Sequence, residues 1–303
     1  MVITNEKNLP QSIVNAVDPN PHNKEGCISV TTLLKGSKEY LLTTRHWDEI
    51  TVDASSRAYA ILGTAAHLVF EKGSDKPGVL KEYPVETVVG DYTVTGRVDY
   101  YDKDEKLLGD YKTTSVFKVK DGLPEEWRKQ GIMYAYLLSL KDMPVEKITF
   151  FVFLRDWRRS EYKAKKEQGY PDAQTITLSF DVTDADLKEA KEFIESKVAE
   201  ITNYSVLSDD DIPPCSISER WENPTTYAVK KEGLKTAVRG ASKFTTEEEA
   251  QSFINMQTKD KEKYSIEKRS GTPNKCLDYC DCCEFCQFYK EHILQNIETQ
   301  EIA

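Results

Sequence analysis

The chain has 303 residues, enough for two domains or for one large domain with an insertion. With 14 Gly, 12 Pro and 39% apolar residues it is neither collagen-like nor low-complexity, and it can bury a real core. Its 41 basic and 51 acidic residues leave a formal charge of −10, which excludes a coat for nucleic acid that binds by bulk charge but leaves room for a local basic groove.

The longest apolar run, residues 148–154, has the length of a buried strand and falls short of the roughly 18 residues that cross a bilayer. The first residues lack the basic-then-apolar pattern of a secretory signal, so the expectation is a soluble, cytoplasmic protein with no membrane partner.

In chain order, residues 1–26 are polar and carry Pro10, Pro19 and Pro21, which predicts a loose N-terminal arm. A short apolar stretch from Cys27 leads into a predicted helix over 37–47. A second helix is predicted over 55–71, capped by Ser55 or Ser56 and ended by Gly73. Gly63, His67 and Glu71 are four apart on it and share a face. Strands are predicted over 83–89, 92–101 and 106–113. Gly90-Asp91 forms a tight turn between the first two, and residues 102–105 form a polar turn before the third. A helix over 124–140, with Pro124 in its first turn, precedes a buried strand over 147–155. A strand over 175–180 and an amphipathic helix from Asp184 to Asn203 complete an α/β core over 27–212.

Residues 216–274 read as a small inserted ββαβ unit. It comprises a basic hairpin (227–229 and 235–239), a helix opened by the capping box Thr245-x-x-Glu248, and a strand over 264–268. Cys215 and residues 275–303 hold a cysteine-rich region and a tail.

The chemistry gathers on the strands. Asp110 and Lys112 are two apart on one strand and therefore share a face, and the turn at 102–105 brings Asp99 near Asp110. Carboxylates suit Mg2+ or Mn2+, which polarise a phosphate and lower the pKa of bound water. A lysine beside them orients that water or offsets charge on the phosphorus centre. His67 adds an imidazole, which moves the preference toward Mn2+. Gln130 and Tyr134, four apart on a helix, can position a DNA phosphate or base. Arg155, Arg158 and Arg159, just after the buried strand, are candidates for tracking DNA phosphates. Taken singly, each of these residues also fits a solvated turn, an ion pair or a packed helix face.

In this order the motifs resemble the PD-(D/E)XK nuclease superfamily, specifically its RecB-like exonuclease branch. Gly63-x-x-x-His67 is similar to the first motif of that branch and Gly96-Arg-Val-Asp99 to the second. Asp110-Tyr111-Lys112 is similar to the D-x-K signature and Gln130-x-x-x-Tyr134 to the branch's Q-x-x-x-Y motif. The resemblance implies a restriction-endonuclease-like αβββαβ core. It implies metal ligation by His67, Asp99, Asp110 and the backbone carbonyl of Tyr111, with Glu71 joining through water, and Lys112 as the catalytic lysine. It further implies exonucleolytic hydrolysis of DNA in recombination, repair or phage DNA processing. Any unwinding then needs a helicase or recombination protein as partner. Residues 29–33 and 45–48 resemble segments of bacteriophage nucleases of this branch. Two alternatives stand beside this reading: a structure-specific endonuclease of the same fold, and a non-catalytic DNA-end or protein-binding module.

Five of the seven cysteines lie between Cys276 and Cys286, a density that reads as a metal or iron–sulfur site. The resemblance, to AddB-type and CRISPR-adaptation nucleases, implies a 4Fe-4S cluster on Cys215, Cys276, Cys280 and Cys286 that staples the C-terminus to the nuclease core. Cys215 departs from that pattern by following the core, and Cys282 and Cys283 leave the ligand set ambiguous. Zinc is the alternative occupant of such a sulfur site.

Overall fold

The structure is a computed structural model that describes residues 1–17, 26–257 and 261–294. It divides into two compact units, Met1–Ile212 and Pro213–Ala303.

In the first unit, strand β1 (Val2–Thr4) is followed by α1 (Gln11–Val17), β2 (Cys27–Ser29), α2 (Val30–Leu33), α3 (Ser37–Arg45) and β3 (Thr51–Asp53). Next come α4 (Ala58–Lys72), β4 (Val79–Val89), β5 (Tyr92–Asp102) and β6 (Leu107–Thr114). Then follow α5 (Glu125–Ser139), β7 (Lys147–Leu154), α6 (Arg159–Lys165), β8 (Thr175–Asp181) and α7 (Asp184–Ser205). The result is an α/β unit around a mixed six-stranded sheet.

The strands run β2-β5-β6-β7-β8, with β4 also paired to β5. β4 lies antiparallel along the whole of β5. β2 pairs with Thr93–Thr95 and β6 with Tyr100–Asp102, so these two share the other edge of β5, end to end. Between them, residues 96–99 of β5 face a gap in the ladder. β6 and β7 run parallel, joined through α5. The even positions of β7, Phe150, Val152 and Leu154, are fully buried, as are Ile132, Leu137 and Leu138 of α5 and Ile194 of α7; together they form the main core.

The expected loose arm is a correction over its first seventeen residues. β1 pairs in parallel with β3, and the Asp53 carboxylate accepts hydrogen bonds from the Thr4 hydroxyl (3.1 Å) and the Glu6 amide (2.7 Å). Residues 18–25 of that arm and residues 295–303 of the tail lie outside the described residues.

The helix caps also shift from expectation. Asp53, not Ser55 or Ser56, caps the 3-10 turn that leads into α4. Pro124 stands at the N-cap of α5 rather than inside it, and Thr183 with Asp186 forms the capping box of α7. In each case the residue just before the first helical turn keeps an extended backbone, which lets a side chain or carbonyl there meet the free amides of that turn.

The second unit holds β9 (Thr226–Lys231), α8 (Glu247–Asn255), β10 (Tyr264–Arg269) and α9 (Asn274–Asp278). β9 pairs antiparallel with β10 around a small core of Val229, Ala241, Ala250 and Ile254. The predicted second hairpin strand over 235–239 is not formed, so the ββαβ expectation is corrected. Val238 gives one hydrogen bond to Val229, after which Gly240, at φ +79°, turns the chain and breaks the ladder. Past that turn the chain meets the same edge of β9 again only at Ala241 and Phe244, while β10 pairs along the opposite edge. The capping box of α8 is Thr246 with Glu249, one residue beyond the predicted pair.

Among the described residues no helix is long and apolar enough to cross a membrane.

Candidate active site

The site forms where β5 and β6 part. Their last pair is Tyr100 with Gly109, and two residues further on the amide of Tyr111 has lost its strand partner. It donates instead to Asp99 Oδ2 at 2.8 Å. The carboxylate thus stands in for a missing strand carbonyl and is fixed in the wedge.

A break in strand alternation puts Asp99 there. Leu80 and Tyr83, three apart on β4, both pack on the main core, as do Val98 and Tyr101 on β5. A regular strand sends such residues to opposite faces. On β4 the phase is reset at Glu82, whose φ is +47°, a conformation uncommon for any residue but glycine. Glu82 stands opposite Asp99, between the pairs Lys81–Tyr100 and Tyr83–Val98.

α4 brings His67 to the same wedge. His67 Nδ1 lies 3.4 Å from Glu82 Oε1 and 3.5 Å from Asp99 Oδ1. Donor atoms of His67, Glu82 and Asp99 all lie within 4.8 Å of one another, a grouping that can hold a metal ion. Phe70, the next turn of α4, packs on Tyr111 and stacks on Phe153, which fixes the helix against the sheet. Glu71 is exposed and lies outside this group.

Asp110 and Lys112 share one face of β6, as the alternation predicts. Lys112 Nζ is 2.8 Å from Asp110 Oδ1 and donates to Gln130 Oε1 at 2.7 Å. It also sits over the rings of Trp127 and Phe150, 5.8 and 5.9 Å from their centroids. Asp110 is buried, and the Lys112 ammonium is the charged partner of its Oδ1. Burial first, and then the charge of Asp110, pushes the Asp99 carboxyl up to about 7, against the pull of the Tyr111 amide, His67 and Lys112.

Gln130 and Tyr134 are buried on α5. The Gln130 amide oxygen is engaged by Lys112, which sets this side chain behind the lysine rather than on an open strand path. Tyr134 lies over Gly96, where a Cβ would come within 2.5 Å of Tyr134 Cε1. Glycine at that position is therefore a packing requirement. Burial pushes the Tyr134 phenol up to about 12, a hydrogen bond to Gln130 opposing. Arg155, Arg158 and Arg159 are exposed at the end of β7 and the start of α6.

In the second unit, burial first, and then Cys280, Cys286 and Cys283, pushes the Cys276 thiol up to about 12, with Arg220 opposing. Cys283 is raised to about 11 by burial, Cys280 and Glu284. Four thiols of one short segment thus feel one another, and Cys283 belongs among them. Cys280 and Cys282 sulfurs lie 3.6 Å apart, and Cys282 is buried. The Cys215 carbonyl accepts from Arg220 Nη1. Soft donors gathered in a desolvated place fit a thiophilic metal or cluster, as nitrogen and carboxylate donors in the wedge fit a harder cation.

Sequence reasoning missed Glu82, although the signal was present. A two-residue turn at Gly90-Asp91 pairs Val89 with Tyr92, and that register carried back places residue 82 opposite Asp99.

A scan against protein-family models found no match, and a search of curated proteins found none. Among solved structures, the chain is similar to the crystal structure of SSO0001, with 19% identity, 62% of this chain and 82% of that chain covered, and a TM-score of 0.42.

Proposed function

We propose that the protein is a divalent-metal-dependent DNA nuclease with a restriction-endonuclease-like core of the PD-(D/E)XK superfamily. The observation that carries this reading is the meeting, in one wedge of the sheet, of His67, Asp99 and the Asp110–Lys112 pair, drawn from a helix and two strands. The order α4, β4, β5, β6, α5, β7 supports the fold assignment.

His67, Asp99, Asp110 and the Tyr111 carbonyl are the residues to hold Mg2+ or Mn2+. The bound ion supplies charge to a phosphate oxygen and acidity to a water molecule. The protein's own part is positional. Tyr111 N–H holds Asp99 in the wedge, and Asp110 and Gln130 fix the Lys112 ammonium from two sides. A lysine so held orients the attacking water and meets the charge that grows on the phosphate. Tyr134 supports Gln130 from behind, and Arg155, Arg158 and Arg159 provide exposed positive charge for the DNA backbone. Cys276, Cys280 and Cys286, with Cys215 or Cys283, are the residues to hold a 4Fe-4S cluster or zinc in a structural role.

The test is digestion of end-labelled DNA by protein purified without oxygen, with Mg2+, Mn2+ or chelator, and Asp110→Asn as control. Metal-dependent loss of linear DNA that spares closed circles and vanishes in the control supports a nuclease acting from ends. Cleavage of closed circles supports an endonuclease of the same fold. No cleavage by folded protein, with metal bound, refutes the catalytic reading in favour of a binding module.

A further inference from the structure

We propose that Glu82 is a further direct ligand of the divalent cation, joining His67 and Asp99 in a group that the motif pattern does not contain. The inference deepens the proposed function and rests on its metal-site reading. Its basis is geometric. Ligand atoms about 2.2 Å from one ion lie at most about 4.4 Å apart. The separations of 3.4 Å (His67 to Glu82) and 3.5 Å (His67 to Asp99) fall within that span, and the third, Glu82 to Asp99, is within 4.8 Å, so a small side-chain adjustment closes the group on one ion. Asp110 stands beyond this 4.8 Å grouping, with Oδ1 against Lys112, so Glu82 is nearer to His67 and Asp99 than the motif residue is.

The ordinary explanation for Glu82 is an ion pair with Arg97. That pair is 4.0 Å long, and Arg97 is 65% exposed, so it is worth little. The Glu82 side chain, by contrast, is only 15% exposed and presents Oε1 to His67. An imidazole and two carboxylates converge in one half-buried wedge, while the third carboxylate, Asp110, is already paired with Lys112; a cation is the partner that satisfies Glu82 and Asp99 together. The donor set favours Mn2+ over Mg2+.

The experiment uses the full chain and Mn2+ itself. Affinity is read by calorimetry and by loss of the free-ion paramagnetic resonance signal, and thermal shift is recorded with and without Mn2+. The variants are Glu82→Gln, Glu82→Ala and Glu82→Asp, with Glu86→Gln as a control that removes the same charge from the same strand. Glu82→Gln and Glu82→Ala are expected to weaken Mn2+ binding at least tenfold and to abolish the Mn2+-induced rise in Tm. Glu82→Asp should recover part of the affinity, and Glu86→Gln should stay within twofold of wild type.

Glu82→Gln binding Mn2+ within twofold of wild type overturns the proposal. It would mean that Glu82 only accepts a hydrogen bond from His67, which an amide oxygen also does. Absence of Mn2+ binding by the wild type overturns it too. If Glu82→Ala fails to fold, the Gln and Asp variants still decide the matter. DNA cleavage is scored separately. Wild type that binds Mn2+ through Glu82 but cuts no DNA leaves the ligand assignment standing and refutes the nuclease reading.

Discussion

Replacement of Gly96 by alanine tests whether the machinery behind Lys112 is as tightly packed as described. The new Cβ would lie 2.5 Å from Tyr134 Cε1, 3.1 Å from Cδ1 and 3.3 Å from Val85 Cγ2. Carbon atoms need about 3.5 Å or more, so the ring has to retreat by about 1 Å. Tyr134 is buried, so the retreat runs into packed neighbours, and overpacking of this kind costs about 1–3 kcal/mol. At about 2–4 °C per kcal/mol for a unit of this size, the Tm should fall by about 2–12 °C. Tyr134 is one turn from Gln130, which holds Lys112, so cleavage should fall further than the small loss of folded protein explains.

Gly63 provides the internal comparison. It belongs to the same set of motifs, yet a Cβ there meets nothing within 4 Å. Gly63→Ala, in the middle of α4, should therefore stabilise by about 0.5–1 kcal/mol. Differential scanning calorimetry and urea unfolding of both variants give the measurement. Gly96→Ala as stable as wild type, or Gly63→Ala less stable, would refute the packing argument.

Three further outcomes are expected. Because the Asp99 carboxyl is raised to about 7 and must lose its proton to bind a cation, Mn2+ affinity should weaken as pH falls below 7, with proton release on binding; calorimetry in two buffers of different ionisation enthalpy measures this, and a flat affinity from pH 8 to 5.5 would count against it. His46 donates through Nε2 to Asp209 Oδ2 at 2.6 Å and through Nδ1 to Glu49 Oε1 at 2.7 Å, and the Asp209 contact first of all raises its pKa, while burial opposes. The stability it adds is thus full below its ordinary pKa of about 6.5 and is lost as pH rises through the raised value, so the Tm gap between wild type and His46→Gln should be wider at pH 6 than at pH 9. Cys283→Ser should lower iron or zinc content per chain as much as Cys276→Ser does, since both thiols lie in one electrostatic group; metal analysis showing full content in Cys283→Ser would remove Cys283 from the ligand set.

The sequence by itself determined the order of elements, the shared face of Asp110 and Lys112, and the turn that returns Asp99 toward β6. Alternation, helical spacing and turn chemistry are local, and one stretch of chain carries them in full. Around the site its error was at an end: β4 begins at Val79 rather than Tyr83, so Glu82 fell outside it. The small second unit shows a different limit. The basic stretch 235–239 reads locally as a strand, but the turn at Gly240 leaves only single contacts of Val238, Ala241 and Phe244 with β9, and the regular ladder forms with the distant β10 on the other edge.

Only the tertiary structure decided that β2 and β6 share one edge of β5 and leave a wedge between them. That gap frees the Tyr111 amide for Asp99, and the left-handed residue at Glu82 turns the strand so that Glu82 and Asp99 meet His67 from α4. Likewise, Gln130 reads in sequence as a polar group on a helix face, free to meet DNA. It became the support of Lys112 because α5 packs over the sheet with that face inward, and a buried amide must find its partner there.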